Sequence, residues 1–268
     1  MLAPFSVLVD EAEQPSYALP EALSSIYGRL GFADRVVYSN FVESLDGAVT
    51  VGSGISAGSV ISGKNPADRF LMALLRSCAD AVVIGAGTMR ATPGHVWTPA
   101  HVYPDLASDF ASLRQTLGLG LEPRLVLLTA TGDLDFKHPA LVKGAIVMTT
   151  RAIATQIARR LPPASEVIAL GEGKALDIKH VFRELTKMGM DVVLTEGGPT
   201  LMGELTRAGL LDEMFLTLSP VLAGRNKEPR LGMIEGVELL PKIPVWTRLL
   251  SARRHSDYLF LRYALPRP

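Results

Sequence analysis

The feature that most constrains this chain is an alternation, from Arg35 onward, of short apolar runs with longer amphipathic ones. The apolar runs are "RVVYSNFVES", "AVVIGAGT", "RLVLLTA", "GAIVMTT", "EVIAL", "DVVLTEGG" and "DEMFLTLSPVLAG". Each is short, rich in β-branched or aromatic residues, and several end at glycine or a turn signal, which is the pattern of a buried strand. Between them lie segments of helical period: "NPADRFLMALLRSCAD", "AIATQIARRL", "IKHVFRELTKMG" and "PTLMGELTRAG". Strands joined through helices need crossover connections, so the strands run parallel and the helices cover both faces of the sheet. Two late runs, "TRLLSARRH" and "DYLFLRYAL", predict an antiparallel C-terminal hairpin. The fold class is therefore α/β, with a mainly parallel central sheet.

Local signals sharpen the boundaries. Asn65 caps a helix with Pro66 in its first turn, and Phe70, Leu71, Leu74 and Leu75 form its apolar stripe. Gly189 closes a later helix. Residues 1–34, with Pro4, Pro15, Pro20 and a short helical run "PEALSSIYGRL", read as an N-terminal arm packed on a single domain at 35–268. At 268 residues and 48% apolar content, a core forms without staples.

Charge and cysteine use narrow the function classes. Lys+Arg and Asp+Glu both total 27, so no net field draws in nucleic acid or an anionic membrane. Cys78 is the only cysteine, which leaves no disulfide framework, fits a reducing cytoplasm, and suits a small hydrophobe in the core. No apolar run approaches the ~18 residues of a membrane span. Met1–Asp10 lacks the pattern of a signal peptide. The five histidines show no HxxxH or HxH spacing, so no metal site is expected. The chain reads as soluble, cytoplasmic and globular, with a small-molecule partner.

Two segments carry the chemistry. "VVIGAGT" and "VVLTEGGPTL" each place glycines at the C-terminal end of a strand, where ligands bind in open α/β sheets. Neither matches GxGxxG with a following acid, and no GxxxxGK[ST] loop or GxSxG elbow occurs. One such turn is an ordinary strand-to-helix connection; two in one sheet point to a phosphate-bearing cofactor. Glu196 stands before the second glycine pair, either as a functional carboxylate or as a surface acid beside a helix N-terminus. Asp46 in "SLDG" reads as a turn residue, Arg76 as a cation at a helix C-terminus. His95 and Trp97 fall in the loop "TPGHVWTP", where an aromatic serves either ligand or core edge.

In company, "SNFVESLDG", "LLRSCADAVVIGAGTMR", "RLVLLTATGDLD", "VVLTEGGPTLMGELTRAGLLDE" and "LTLSPVLAG" make the chain resemble the pyrimidine reductases of riboflavin biosynthesis, the family of the RibD C-terminal domain. The arm is most similar to that of stand-alone actinobacterial members. The resemblance implies a dihydrofolate-reductase-like fold, NADPH as hydride donor, and a homodimer. The reaction it implies is reduction of the ribosyl group of 5-amino-6-(5-phosphoribosylamino)uracil to ribityl. Carried over by position, Gly85, Gly87, Thr88, Thr129, Gly197, Gly198, Thr200 and Leu201 border the cofactor. Asn40, Asp46 and Glu196 take the catalytic positions, and Arg76, at the substrate phosphate, and Ser62 bind substrate. The protein departs from bifunctional members in having Asn40 for lysine, no cysteine-rich deaminase half, and "MRATPGHVWT" where they carry "DDPxLTxR". That altered loop keeps two rivals open: an NADPH reductase of a pterin such as dihydrofolate or of another small carbonyl or imine, and a protein that binds NADPH without turnover.

Overall fold

Backbone groups in strands need partners on both sides, and here one sheet supplies them. The computed structural model describes residues 2–11, 13–52, 56–173, 175–226 and 230–266. It opens with β1 (Ser6–Asp10) and α1 (Glu21–Tyr27), then β2 (Val36–Ser44), α2 (Ala57–Ile61), α3 (Pro66–Cys78), β3 (Ala81–Gly85) and α4 (Ala86–Ala91). Helices α5 (Pro99–Val102) and α6 (Ala107–Thr116) lead to β4 (Arg124–Leu128) and α7 (Pro139–Lys143). Strict alternation follows through β5 (Ile146–Thr149), α8 (Arg151–Ala158), β6 (Glu166–Ala169), α9 (Ile178–Lys187), β7 (Val192–Thr195) and α10 (Pro199–Ala208). Strands β8 (Glu213–Ser219), β9 (Arg248–His255) and β10 (Tyr258–Ala264) complete the order.

The ten strands lie in the order β1-β9-β10-β8-β2-β7-β3-β4-β5-β6. From β8 to β6 every neighbouring pair is parallel, whereas β1-β9, β9-β10 and β10-β8 are antiparallel. This is the mainly parallel α/β sheet with an antiparallel C-terminal hairpin that the patterning predicts. The hairpin, however, is not the edge: β1 pairs outside β9, and the sequence gives no sign of it. Val7, Leu8 and Val9 are all exposed, so β1 lacks the alternation that marks a half-buried strand. Backbone pairing and a bond from Arg253 Nη2 to Asp10 Oδ2 of 3.0 Å hold it instead.

The apolar runs are continuous because both faces are covered. Val82 and Ile84 of β3 pack into one core with Phe70, Leu74 and Leu127, while Ala81 and Val83 face the other with Phe182, Leu185 and Met202. Helix α3 sits in the first core. Asn65 caps its start by accepting a bond from the Ala67 amide at 2.7 Å. Buried Arg114 closes its end, donating to the carbonyls of Arg76, Ser77 and Ala79. Tyr38 of β2 adds a bond from its hydroxyl to the Leu75 carbonyl, 2.7 Å. The last turn of α3 is thereby fixed against β2 and β3. Cys78 is buried there, and burial pushes its thiol up to about 12. No helix among the described residues is long and apolar enough to cross a membrane.

Candidate active site

Strands β2, β3 and β7 are adjacent and parallel, so their carboxyl ends open on the same edge of the sheet. A cavity of about 780 Å³ lies there, within the size range of small-molecule sites. Both glycine turns border it. Gly85, Gly87 and Thr88 come from the β3–α4 turn, and Gly197, Gly198, Thr200 and Leu201 from the β7–α10 turn. The turns face one another: a Cβ on Gly198 would stand 3.6 Å from Thr88 Oγ1. A Cβ on Gly85 would meet nothing within 4 Å, so that backbone is bare toward open space. Helix α10 begins at Gly198 without a side-chain cap, which leaves its first amides for a ligand. Bare glycine backbone beside an uncapped helix start fits the phosphates of a nucleotide cofactor.

Glu196 is set by β7, its amide donating to the Val83 carbonyl at 3.1 Å. Its carboxylate is 9% exposed and meets Arg76, which is 1% exposed, through Nη2–Oε2 at 2.6 Å and Nε–Oε1 at 3.0 Å. Arg76 Nη1 donates to the Thr98 carbonyl at 3.3 Å, and Nη2 lies 2.8 Å from His95 Nε2. Every guanidinium nitrogen therefore has a protein partner. Arg76, expected at the substrate phosphate, instead holds Glu196 and the 92–98 loop in place. Burial, and then the adjacent Arg76 charge, push His95 down to about 3, so the ring is neutral and accepts from Arg76. His95 and Trp97 both line the cavity, with ring centroids 4.9 Å apart. His138 anchors the loop from behind through Nε2, 3.0 Å from the Thr92 carbonyl oxygen.

Asn40 and Ser62 also line the cavity. Two other proposed positions do not. Asp46 accepts bonds from the Ser44 hydroxyl at 2.6 Å and from the Ala223 and Gly224 amides at 3.0 and 2.8 Å. Those donors, Ser44 first, hold its carboxyl down to about 2. It ties the β2 turn to the irregular segment following β8. Thr129 is buried, accepting from the Gly132 amide through Oγ1 and from Thr149 through its carbonyl.

Three charged cavity residues escape the sequence reading: Lys64, Asp68 and Arg69. Lys64 and Arg69 are exposed, and neither forms an ion pair with a carboxylate among the described residues. Arg69 is aimed by its Nε bond to the Val102 carbonyl, 3.0 Å. Asp68 is 4% exposed, and burial raises its carboxyl to about 6 against the opposing pull of the Thr217 and Ser62 hydroxyls. One signal was available for it: Asp68 shares a helical stripe with Leu71 and Leu75, so the pattern turns an acid inward. Among the described residues, no cluster of histidine, cysteine and carboxylate suits a metal ion.

Residues 35–253 match the family model described as the RibD C-terminal domain. The chain is 24% identical over 204 residues to the 2,5-diamino-6-ribosylamino-4(3H)-pyrimidinone 5′-phosphate reductase of Aquifex aeolicus, covering 75% of this chain and 83% of that protein. It is also 24% identical over 177 residues to the riboflavin biosynthesis protein RibD of Bacillus amyloliquefaciens, covering 63% of this chain and 42% of that longer protein. A pyrimidine reductase-like protein from Corynebacterium diphtheriae has the same fold, with a TM-score of 0.72 at 23% identity, covering 92% of this chain and 99% of that one.

Proposed function

Because the chain belongs to the family of the RibD C-terminal domain, we propose that it is an NADPH-dependent reductase of riboflavin biosynthesis, acting on 5-amino-6-(5-phosphoribosylamino)uracil. The ribosyl group is reduced to ribityl, and the protein works as a homodimer. The observation that carries the reading is one cavity bordered both by the two strand-end glycine turns and by the cationic side chains of Lys64 and Arg69. Its relatives are named for a ribosylaminopyrimidine 5′-phosphate, a substrate with those needs.

When bound, NADPH supplies a hydride for an electrophilic carbon. The Gly85–Thr88 and Gly197–Leu201 turns hold its nucleotide, the latter with the amides that start α10. Holding reactants in a fixed orientation is the main contribution of the protein to such a reaction. Glu196 accepts hydrogen bonds from the pyrimidine or the sugar, and Arg76 holds it aimed. Asn40 lies alongside. Lys64 and Arg69 take over the phosphate role first given to Arg76, since they line the cavity with no carboxylate partner. The neutral His95, with Trp97, forms an uncharged wall against the heterocycle.

The test is oxidation of NADPH by the purified protein, with 5-amino-6-(5-phosphoribosylamino)uracil, its 2,5-diamino pyrimidinone precursor and dihydrofolate in parallel. Turnover of the uracil compound with kcat/KM of roughly 10⁴ M⁻¹s⁻¹ or more is the expected result. Turnover of dihydrofolate alone would assign the 92–98 loop to a pterin and remove the riboflavin reading. NADPH binding without oxidation of any of the three would remove the reductase reading as well.

A further inference from the structure

We propose that Asp68 is the proton donor of this cavity, while Glu196, clamped by Arg76, only positions the substrate. The inference rests on the reductase reading above and adds the group that completes the reduction. Two carboxylates line the cavity, and their surroundings differ in kind. Glu196 has a bidentate guanidinium partner, which favours its charge. Asp68 is 4% exposed in the first turn of α3, and no cation forms an ion pair with it among the described residues. Pairs of acids held in opposite environments at one site divide into a fixed charge and a proton carrier.

The groups around Asp68 agree with that division. Ser62 follows α2 beside Asp68, and the Ser62 carbonyl is itself bonded by Tyr258 of β10 at 3.0 Å, while the buried Thr217 hydroxyl of β8 has no hydrogen-bond partner. Glu196 is the neighbouring anion, and its charge raises Asp68 further. Arg76, the nearest buried cation to that anion, spends its charge on Glu196. Lys64 and Arg69 are exposed, and His95 is neutral, its titration pushed far below 7. His101, on α5, is lowered also, by burial and then by Arg76. Burial thus dominates at Asp68, and its carboxyl is lifted to about 6.

Reduction of the imine form of the phosphoribosylamine needs a hydride on carbon and a proton on nitrogen. The dihydronicotinamide is the hydride source and leaves oxidised. As the carbon gains its C–H bond, the C=N π pair moves onto nitrogen. The O–H bond of Asp68 breaks, its proton becomes the new N–H, and Asp68 is left as a carboxylate that solvent reprotonates. A proton from a positioned acid contributes about 10²–10⁴-fold to such steps.

Wild type and Asp68→Asn are compared with NADPH and 5-amino-6-(5-phosphoribosylamino)uracil. In wild type, kcat/KM holds at acid pH and falls as pH rises through about 6, because the protonated acid is the working form. Asp68→Asn lowers kcat/KM by roughly 100-fold or more, loses that limb, and still binds NADPH. Infrared difference spectra of wild type against Asp68→Asn give a readout without turnover: a protonated carboxyl band that vanishes over the same pH range. An Asp68→Asn enzyme as active as wild type, or no such band at acid pH, would each overturn the proposal. A wild type silent on the pyrimidine removes the substrate reading and the donor role together, a pattern distinct from an active wild type with an active Asp68→Asn.

Discussion

The two glycine turns have nearly the same sequence logic and opposite physical reasons for their glycines. At β3–α4, a Cβ on Gly85 would occupy open space, so glycine is there to keep the cavity empty. At β7–α10, a Cβ on Gly197 would run into the side chain of Leu201, and one on Gly203 into the Glu235 carbonyl oxygen. The Glu235 amide donates to the Pro199 carbonyl at 3.1 Å, so the 230–237 segment is bonded onto the start of α10 as well as packed on it. The second turn also begins with the charged Glu196, whereas the first carries no ionised side chain before Arg90. One turn is shaped by what it must admit, the other by what the protein itself packs against it.

Three substitutions test that contrast. Arg76→Ala has the largest expected effect, because it leaves the Glu196 carboxylate without its partner and the Thr98 carbonyl without a donor. Breaking a buried pair from one side costs about 3–5 kcal/mol, read as a loss of unfolding free energy in denaturant. A cost under about 1 kcal/mol would place the pair in the class of solvent-screened bridges. Gly203→Ala comes next, at about 1–3 kcal/mol, since the obstacle is backbone and neither segment moves aside cheaply. Unchanged thermal stability there would mean the 230–237 segment packs less tightly on α10. Gly85→Ala should leave stability within about 0.5 kcal/mol, yet weaken NADPH binding measured by titration, because the methyl projects where the ligand lies. Stability lost with affinity untouched would reverse the reasons given for the two turns.

Much of the fold was legible because its signals are local. The apolar runs within 81–85, 125–128 and 146–149 predict strands buried on both faces, and each lies in one. Asn65, Gly189 and the α3 stripe set boundaries through geometry within a few residues. β1 was not legible, since its apolar residues face solvent and show no alternation. Helices α2, α5 and α7 were too short to carry a periodic pattern of their own. The glycine turns that border the cavity were legible because strand-end glycine is a local signature. Asp46 and Arg76 were given ligand roles from position alone, and both prove to have their polar atoms occupied by the protein.

What the sequence by itself determined was therefore the periodic part: a mainly parallel sheet, covered on both faces, with two bare turns at one edge. Periodicity and steric freedom act over a few residues, so they are readable along the sequence. Tertiary structure alone decided the charges. Arg76 and Glu196 are 120 residues apart in sequence and 2.6 Å apart in space, and that approach converts an expected phosphate ligand into a clamp. The same folding buries Asp68 with no ion-pair partner among the described residues, near the anion Glu196 from a distant strand. A carboxyl group's ionisation depends on the dielectric and the charges within a few ångströms, whatever their separation in sequence.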